Sequence, residues 1–248
     1  MHLTVATCTL LASAAAAAKV RHLHRRQEDL AWGPVCGFYQ TDSEITSSVS
    51  TIYPGAKPSD QKGYMFNWIG LTNSTGDLVQ SIVGSYPTGA SECEGQTDAN
   101  SAWCISSEVY GVNSQDETTQ FVGTLTTADA NYENGIVITY TLADKATYLW
   151  NQTMHDAVTG DLLSSYSKTS GAFSLWNTAV ELQDYDGNAP SGLTEDQYYV
   201  NTTITLEPAD AQYGDNMYTE YGCTHTTPTT SDGGKTWFIE KITAPASS

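Results

Sequence analysis

From Trp32 to the C-terminus the chain repeats one pattern: short runs in which apolar and polar residues alternate, rich in Thr, Tyr, Val and Ile and separated by Gly, Asn, Asp and Ser. GIVITYTL (135–142) sets Ile136, Ile138, Tyr140 and Leu142 on one face and Val137, Thr139 and Thr141 on the other. A period of two is that of a strand with one buried face. ATYLWNQTM, SGAFSLWNTAVELQ and QYYVNTTITLE read the same way, and DAVTGDLLSS reads as two strands about a Thr-Gly-Asp turn. No long 3.6-residue period, heptad, internal repeat or extended linker breaks the series. Many short strands with turn signals and almost no helix predict an all-β fold, an antiparallel β-sandwich or barrel. The segment from Gly214 to Ser248, richer in Thr, Gly and Asp, reads as a wrapping C-terminal segment pinned by Cys223, not as a second domain.

The N-terminus has a different character. MHLTVATCTLLASAAAAA is apolar and ends in small side chains, which reads as a secretory signal peptide over residues 1–18. KVRHLHRR (19–26) follows as a short basic pro-segment ending in the pair Arg25-Arg26, so the expected mature domain is 27–248. No other stretch approaches the ~20 apolar residues of a membrane-spanning helix. Processing there removes Lys19, Arg21, Arg25 and Arg26 from 10 basic residues and none of the 28 acidic ones, leaving 6 − 28 = −22. Such a charge excludes nucleic acid and anionic membranes as partners and suits work in acid, where carboxylates are protonated. The expected localisation is extracellular, and the expected state a monomer.

Cysteines and sequons agree with export. Once Cys8 has left with the signal peptide, Cys36, Cys93, Cys104 and Cys223 remain, an even number that predicts two disulfides. Of the three pairings, Cys93 with Cys104 and Cys36 with Cys223 are favoured: the first closes a short loop, the second ties the chain ends together. Asn73, Asn151 and Asn201 each head an Asn-x-Ser/Thr sequon and are the expected glycosylation sites.

The catalytic inventory is narrow. There is no Gly-x-Ser-x-Gly and no Gly-rich phosphate loop, and past residue 26 the only histidines are His155 and His225. QDYDGN (183–188) has the spaced acids of a calcium loop but reads as an acidic turn. Neither a metal nor a cofactor is expected. One glutamine, Gln80, interrupts the apolar run DLVQSIVG, where an unpaired amide would cost about 1–3 kcal/mol.

Taken in order, NWIGL with Gln80 after it, SAWCISSEVYG, the strand pair about a Thr-Gly turn and NTAVELQDYDG resemble the glutamic peptidases, the eqolisins. The resemblance covers roughly residues 64–210. It implies a concanavalin A-like sandwich of two seven-stranded sheets and an acid endopeptidase activity on protein or peptide substrates. Position by position it matches Trp68 to the family's first cleft tryptophan, Gln80 to its catalytic glutamine, Glu108 and Tyr110 to its cleft glutamate and tyrosine, and Glu181 to its catalytic glutamate. Aligning QDY with the family's Glu-Asp-Phe puts Ala179 at that last position instead. In such a dyad the glutamate takes a proton from water and returns it to the leaving amine, while the glutamine amide steadies the oxyanion. Glu181 shares strand parity with Asn177 and Ala179, which keeps it on one face with them.

Two other functions fit the same residues. Trp68, Trp103, Trp150 and Trp176 could form a sugar platform, and a carboxylate pair such as Glu108 and Glu181 could hydrolyse a glycoside if about 5–10 Å apart. A catalytically lapsed relative serving as a secreted interaction protein is the third reading.

Overall fold

A computed structural model describes residues 30–73, 76–94, 96 and 101–246. The expected signal peptide and pro-segment lie outside the described residues. The strands are β1 (Leu30–Phe38), β2 (Glu44–Tyr53), β3 (Tyr64–Thr72), β4 (Leu78–Ser85), β5 (Trp103–Val112), β6 (Thr118–Ala128) and β7 (Ile136–Asp144), followed by β8 (Leu149–Asp156), β9 (Leu162–Thr169), β10 (Leu175–Gln183), β11 (Gln197–Glu207), β12 (Met217–Glu220), β13 (Thr224–His225) and β14 (Thr236–Ala244). A 3₁₀ turn, Tyr213–Asn216, precedes β12.

Two seven-stranded antiparallel sheets result, in the orders β12-β1-β10-β3-β4-β5-β6 and β13-β14-β11-β2-β7-β8-β9. The runs predicted from their alternation are strands: 197–207 is β11, 136–144 is β7, and the Thr-Gly-Asp turn joins β8 to β9. The C-terminal segment does more than wrap. It adds β12 to the edge of the first sheet and the nine-residue β14 to the second, where β14 pairs with β11 from Gln197–Ala244 to Thr205–Thr236. Its alternation, TWFIEKITA with Trp237, Ile239, Ile242 and Ala244 buried, is interrupted by two exposed polar residues, which hides the period of two.

The main core lies between the sheets. Ile69, Val79, Val83, Ile105, Val109, Trp176 and Val180 from the first sheet meet Ile52, Ile138, Tyr140, Trp150, Met154, Tyr199 and Ile239 from the second. Trp103, Trp150 and Trp176 are wholly buried there, which assigns them to packing and removes them as a sugar platform. Hydroxyls from the core also grip β3 from beneath: Thr178 and Tyr199 donate to the Trp68 carbonyl at 2.9 and 3.3 Å, and Tyr140 donates to the Ile69 carbonyl at 2.6 Å. Gln152 donates to the Glu108 carbonyl at 2.9 Å. The strands that carry the candidate site are therefore fixed by Tyr140, Gln152 and Tyr199 of the opposite sheet and by Thr178 of the neighbouring β10.

The disulfides are Cys36–Cys223 and Cys93–Cys104, the favoured pairing. Asn151 and Asn201 are exposed on the outside of the second sheet; Asn73 is half-buried, with its amide donating to the Ala172 carbonyl at 2.7 Å.

Candidate functional site

The residues of the first sheet that do not face the core form a second cluster on its outer face: Val35, Tyr64, Phe66, Trp68, Ile82, Tyr86 and Ala179 with the Cys93–Cys104 bridge. The residues that the resemblance marks for catalysis and the cleft, Trp68, Gln80, Glu108, Tyr110 and Glu181, all fall on this face or its rim. Directly paired residues of antiparallel strands project to the same side, so register alone maps the face. One row reads Asn177–Gly70–Gln80–Glu108 across β10, β3, β4 and β5. The next reads Ala179–Trp68–Ile82–Ser106, and the one after it Glu181–Phe66–Gly84–Cys104.

Gln80 is fully buried, and neither its Nε2 nor its Oε1 has a partner. On one side lies Gly70, where a Cβ would stand 2.8 Å from the Val79 carbonyl oxygen, so only glycine leaves that floor flat. Across it is Asn177, whose Oδ1 accepts from the Tyr218 hydroxyl at 2.7 Å. On the other side is Glu108, 1% exposed, with one oxygen accepting from the Ser106 hydroxyl and the other from Gln120 Nε2. Burial first, and then the Glu92 carboxyl lying against it, push Glu108 well above the ordinary glutamate range, while Ser106 and Gln120 pull the other way.

Glu181 belongs to a different neighbourhood. Trp68 Nε1 donates to its Oε2 at 3.2 Å and Gln183 Nε2 to its Oε1 at 2.6 Å, with Trp32 set edge-on to Trp68 at 6.4 Å. Burial raises its carboxyl to about 7 against the pull of those donors.

This geometry separates the expected dyad. Gln80 and Glu181 share a face, but they stand two strands across and four residues along, about 16 Å between Cα atoms at ~4.8 Å per strand and ~3.3 Å per residue. Oxyanion donor and proton-transfer group must both lie within about 3 Å of one reacting centre. The carboxyl within reach of Gln80 is Glu108, its cross-strand partner. The alternative position, Ala179, pairs with Trp68. The same count sets Glu108 and Glu181 about 19 Å apart, which removes them as a glycoside-cleaving pair. Tyr110 is half-buried one step beyond Glu108, paired with Leu78 and Gln120.

Sequence reading missed Asn177, Gln120 and Glu92. Glu92 had a signal, since it precedes Cys93 and the favoured bridge to Cys104 brings it over β5. Among the described residues no cluster of three or more His, Cys, Asp or Glu could hold a metal ion, and the acidic 183–188 segment is a turn closed by Tyr185 and Asn188.

No family model matches the sequence, and no curated protein matches it. Among solved structures the chain is similar to Scytalido-glutamic peptidase bound to a peptide-based transition state analog, at 14% identity over 86% of this chain and 98% of that one, with a TM-score of 0.47. It is similar to SCP-B, a member of the eqolisin family of peptidases in complex with the tripeptide Ala-Ile-His, at 13% identity over 86% and 98% and a TM-score of 0.45. It is also similar to porphyranase B from Zobellia galactanivorans, at 11% identity over 85% of this chain and 65% of that one, with a TM-score of 0.38.

Proposed function

We propose that the outer face of the first sheet is a peptide site and that the protein hydrolyses peptide bonds in acid, with Gln80 and Glu108 at the reacting centre. The carrying observation is the buried amide of Gln80, unpaired at both atoms and opposite Glu108 on the neighbouring strand. An orphaned amide presents N–H donors and a carbonyl acceptor side by side, the complement of a peptide group. Bound there, a substrate carbonyl takes the Gln80 N–H as its charge develops, and Glu108, holding its proton, gives it to the leaving nitrogen. Trp68 and Tyr110 shape the face on either side, and Glu181 braces Trp68 instead of reacting.

A second reading is favoured by two features: Gln80 is 0% and Glu108 1% exposed, and the residue across Gly70 is an amide, not a carboxylate. In it the protein is a lapsed peptidase relative that binds and does not cleave. Incubating the purified protein with denatured protein substrate from pH 2 to 6, beside a glycan array at the same pH, separates these. Cleavage lost in Gln80→Ala and Glu108→Gln supports the hydrolase; peptide binding without cleavage supports the lapsed relative; glycan binding alone would move the assignment to carbohydrate.

Export completes the proposal: cleavage after Arg26, glycans at Asn151 and Asn201, and an extracellular monomer carrying the two bridges, which suit an oxidising compartment. Intact mass of the secreted protein before and after deglycosylation tests it.

A further inference from the structure

A single buried carboxyl leaves the hydrolysis incomplete. Glu108 is held protonated by burial, so it can donate to the leaving nitrogen but cannot at the same time accept the proton of the attacking water. Glu92 stands where an acceptor is needed. It lies in the β4–β5 connection directly before Cys93, and Cys93 is bonded to Cys104, which sits four residues before Glu108 on the same strand and the same face. The connection is further pinned by the Cys93 N–H donating to the Ser91 hydroxyl at 3.1 Å and by Gln96 bonded to the backbone of Leu125 and Thr127 on β6 at 2.9 and 3.0 Å. The bridge thus lays the Glu92 carboxyl against those of Glu108 and the hydroxyl of Tyr86, and Glu92 Oε2 is buried with no partner.

We propose that Glu92 is the second carboxyl of the site, sharing one proton with Glu108 and taking the proton of the attacking water through its unpartnered oxygen. This rests on the peptide-hydrolysis reading and deepens it. Two carboxylates in contact cannot both ionise, so the resting pair is one carboxylate and one carboxylic acid. Water oxygen bonds to the carbonyl carbon while its proton passes to Glu92. The carbon–nitrogen bond then breaks with its electron pair leaving on nitrogen, which takes the proton of Glu108. Transfer of the new proton from Glu92 to Glu108 across their contact restores the starting state. The groups facing the pair are Tyr86, with Tyr64 behind it, and the neutral Ser106 and Gln120.

The test is a carboxyl-carbon NMR titration of the purified, glutamate-labelled protein beside its pH–rate profile, for wild type, Glu92→Gln, Glu92→Asp and the paired Cys93→Ser, Cys104→Ser variant. Expected in the wild type is a Glu108 titration well above the ordinary glutamate range that answers to the Glu92 carboxyl beside it. Removing the neighbouring charge in Glu92→Gln brings the Glu108 titration down, and turnover falls by roughly 10²-fold or more with a smaller change in KM. Glu92→Asp restores part of both, and the serine pair, which keeps both carboxyls but frees the connection, uncouples them. A Glu108 titration that does not move in Glu92→Gln or in the serine variant overturns the proposal. Coupled titration in a wild-type protein that cleaves nothing supports the proton-sharing pair and overturns the peptide-hydrolysis reading instead.

Discussion

The indole N–H of Trp68 donates to Oε2 of Glu181 at 3.2 Å, tying the tryptophan of β3 to a carboxyl that is 2% exposed on β10. The burial of that carboxyl, working against the pull of its donors, makes stability depend on pH. Glu181 titrates at about 7 when folded against 4.5 ordinarily, so between those values the folded chain holds a proton that the unfolded chain has lost. Stability therefore falls as pH rises from about 4.5 to about 7, by on the order of 3 kcal/mol, and is flat from this source on either side. Glu181→Gln removes the slope while keeping a donor and an acceptor. Calorimetric Tm across pH 4–8 checks it; parallel curves for the two proteins would show that Glu181 titrates normally.

Gln80 is unpaired where pairing is most needed, and that predicts opposed effects on stability and turnover. Gln80→Met conserves volume and removes the orphaned amide, so the variant should be more stable by about 1–3 kcal/mol in urea unfolding. It should also lose roughly 10²- to 10³-fold in turnover, the measure of one oxyanion donor. A destabilised variant would mean that the amide is already satisfied in the folded protein.

What could be read from sequence, and what could not, follows from the geometry of strands. Parity is local: the alternation in LWNTAVELQ sets Asn177, Ala179 and Glu181 on one face, and they are there. Distance along the sheet is not local. Sliding β10 by two residues against β3 exchanges Asn177 for Ala179 beside Gly70 without changing any residue's face, so sequence could place Glu181 on the correct side and not in the correct row. The same limit hid Gln120 of β6, which reaches Glu108 only once β5 and β6 are paired with a register shift between Ser106 and Glu108. Cysteine pairing was legible because four cysteines allow few choices, and Glu92 follows from that pairing once β5 is known to carry Glu108.

The two bridges differ in the length of chain they close, and so in what they contribute. Cys36–Cys223 spans 187 residues and ties β1 to the turn before β13, whereas Cys93–Cys104 spans 11. Loop-closure entropy assigns about 5 kcal/mol to the first and about 3 kcal/mol to the second. Urea unfolding of Cys36→Ala, Cys223→Ala should accordingly show the larger loss. The short bridge should matter more for turnover, since it positions Glu92. Equal turnover in wild type and the short-bridge variant would detach the bridge from the site.

The choice of working carboxyl is decided by two matched substitutions. Glu108→Gln and Glu181→Gln each replace a buried carboxyl by an amide of the same shape, so packing losses are comparable and the difference reports chemistry. If Glu108 gives the proton to the leaving nitrogen, Glu108→Gln should lose about 10²- to 10⁴-fold in kcat. Glu181→Gln should stay near wild type, because its carboxyl is about 16 Å of backbone away from Gln80. The pH profile carries the same information: a donor must be protonated, and Glu108 is raised, so activity should persist above about pH 4.5, where an ordinary glutamate is half ionised, and fall as pH climbs through the higher value. Loss of activity in Glu181→Gln with Glu108→Gln intact would return the dyad to Glu181 and require a different pairing of β10 with β3.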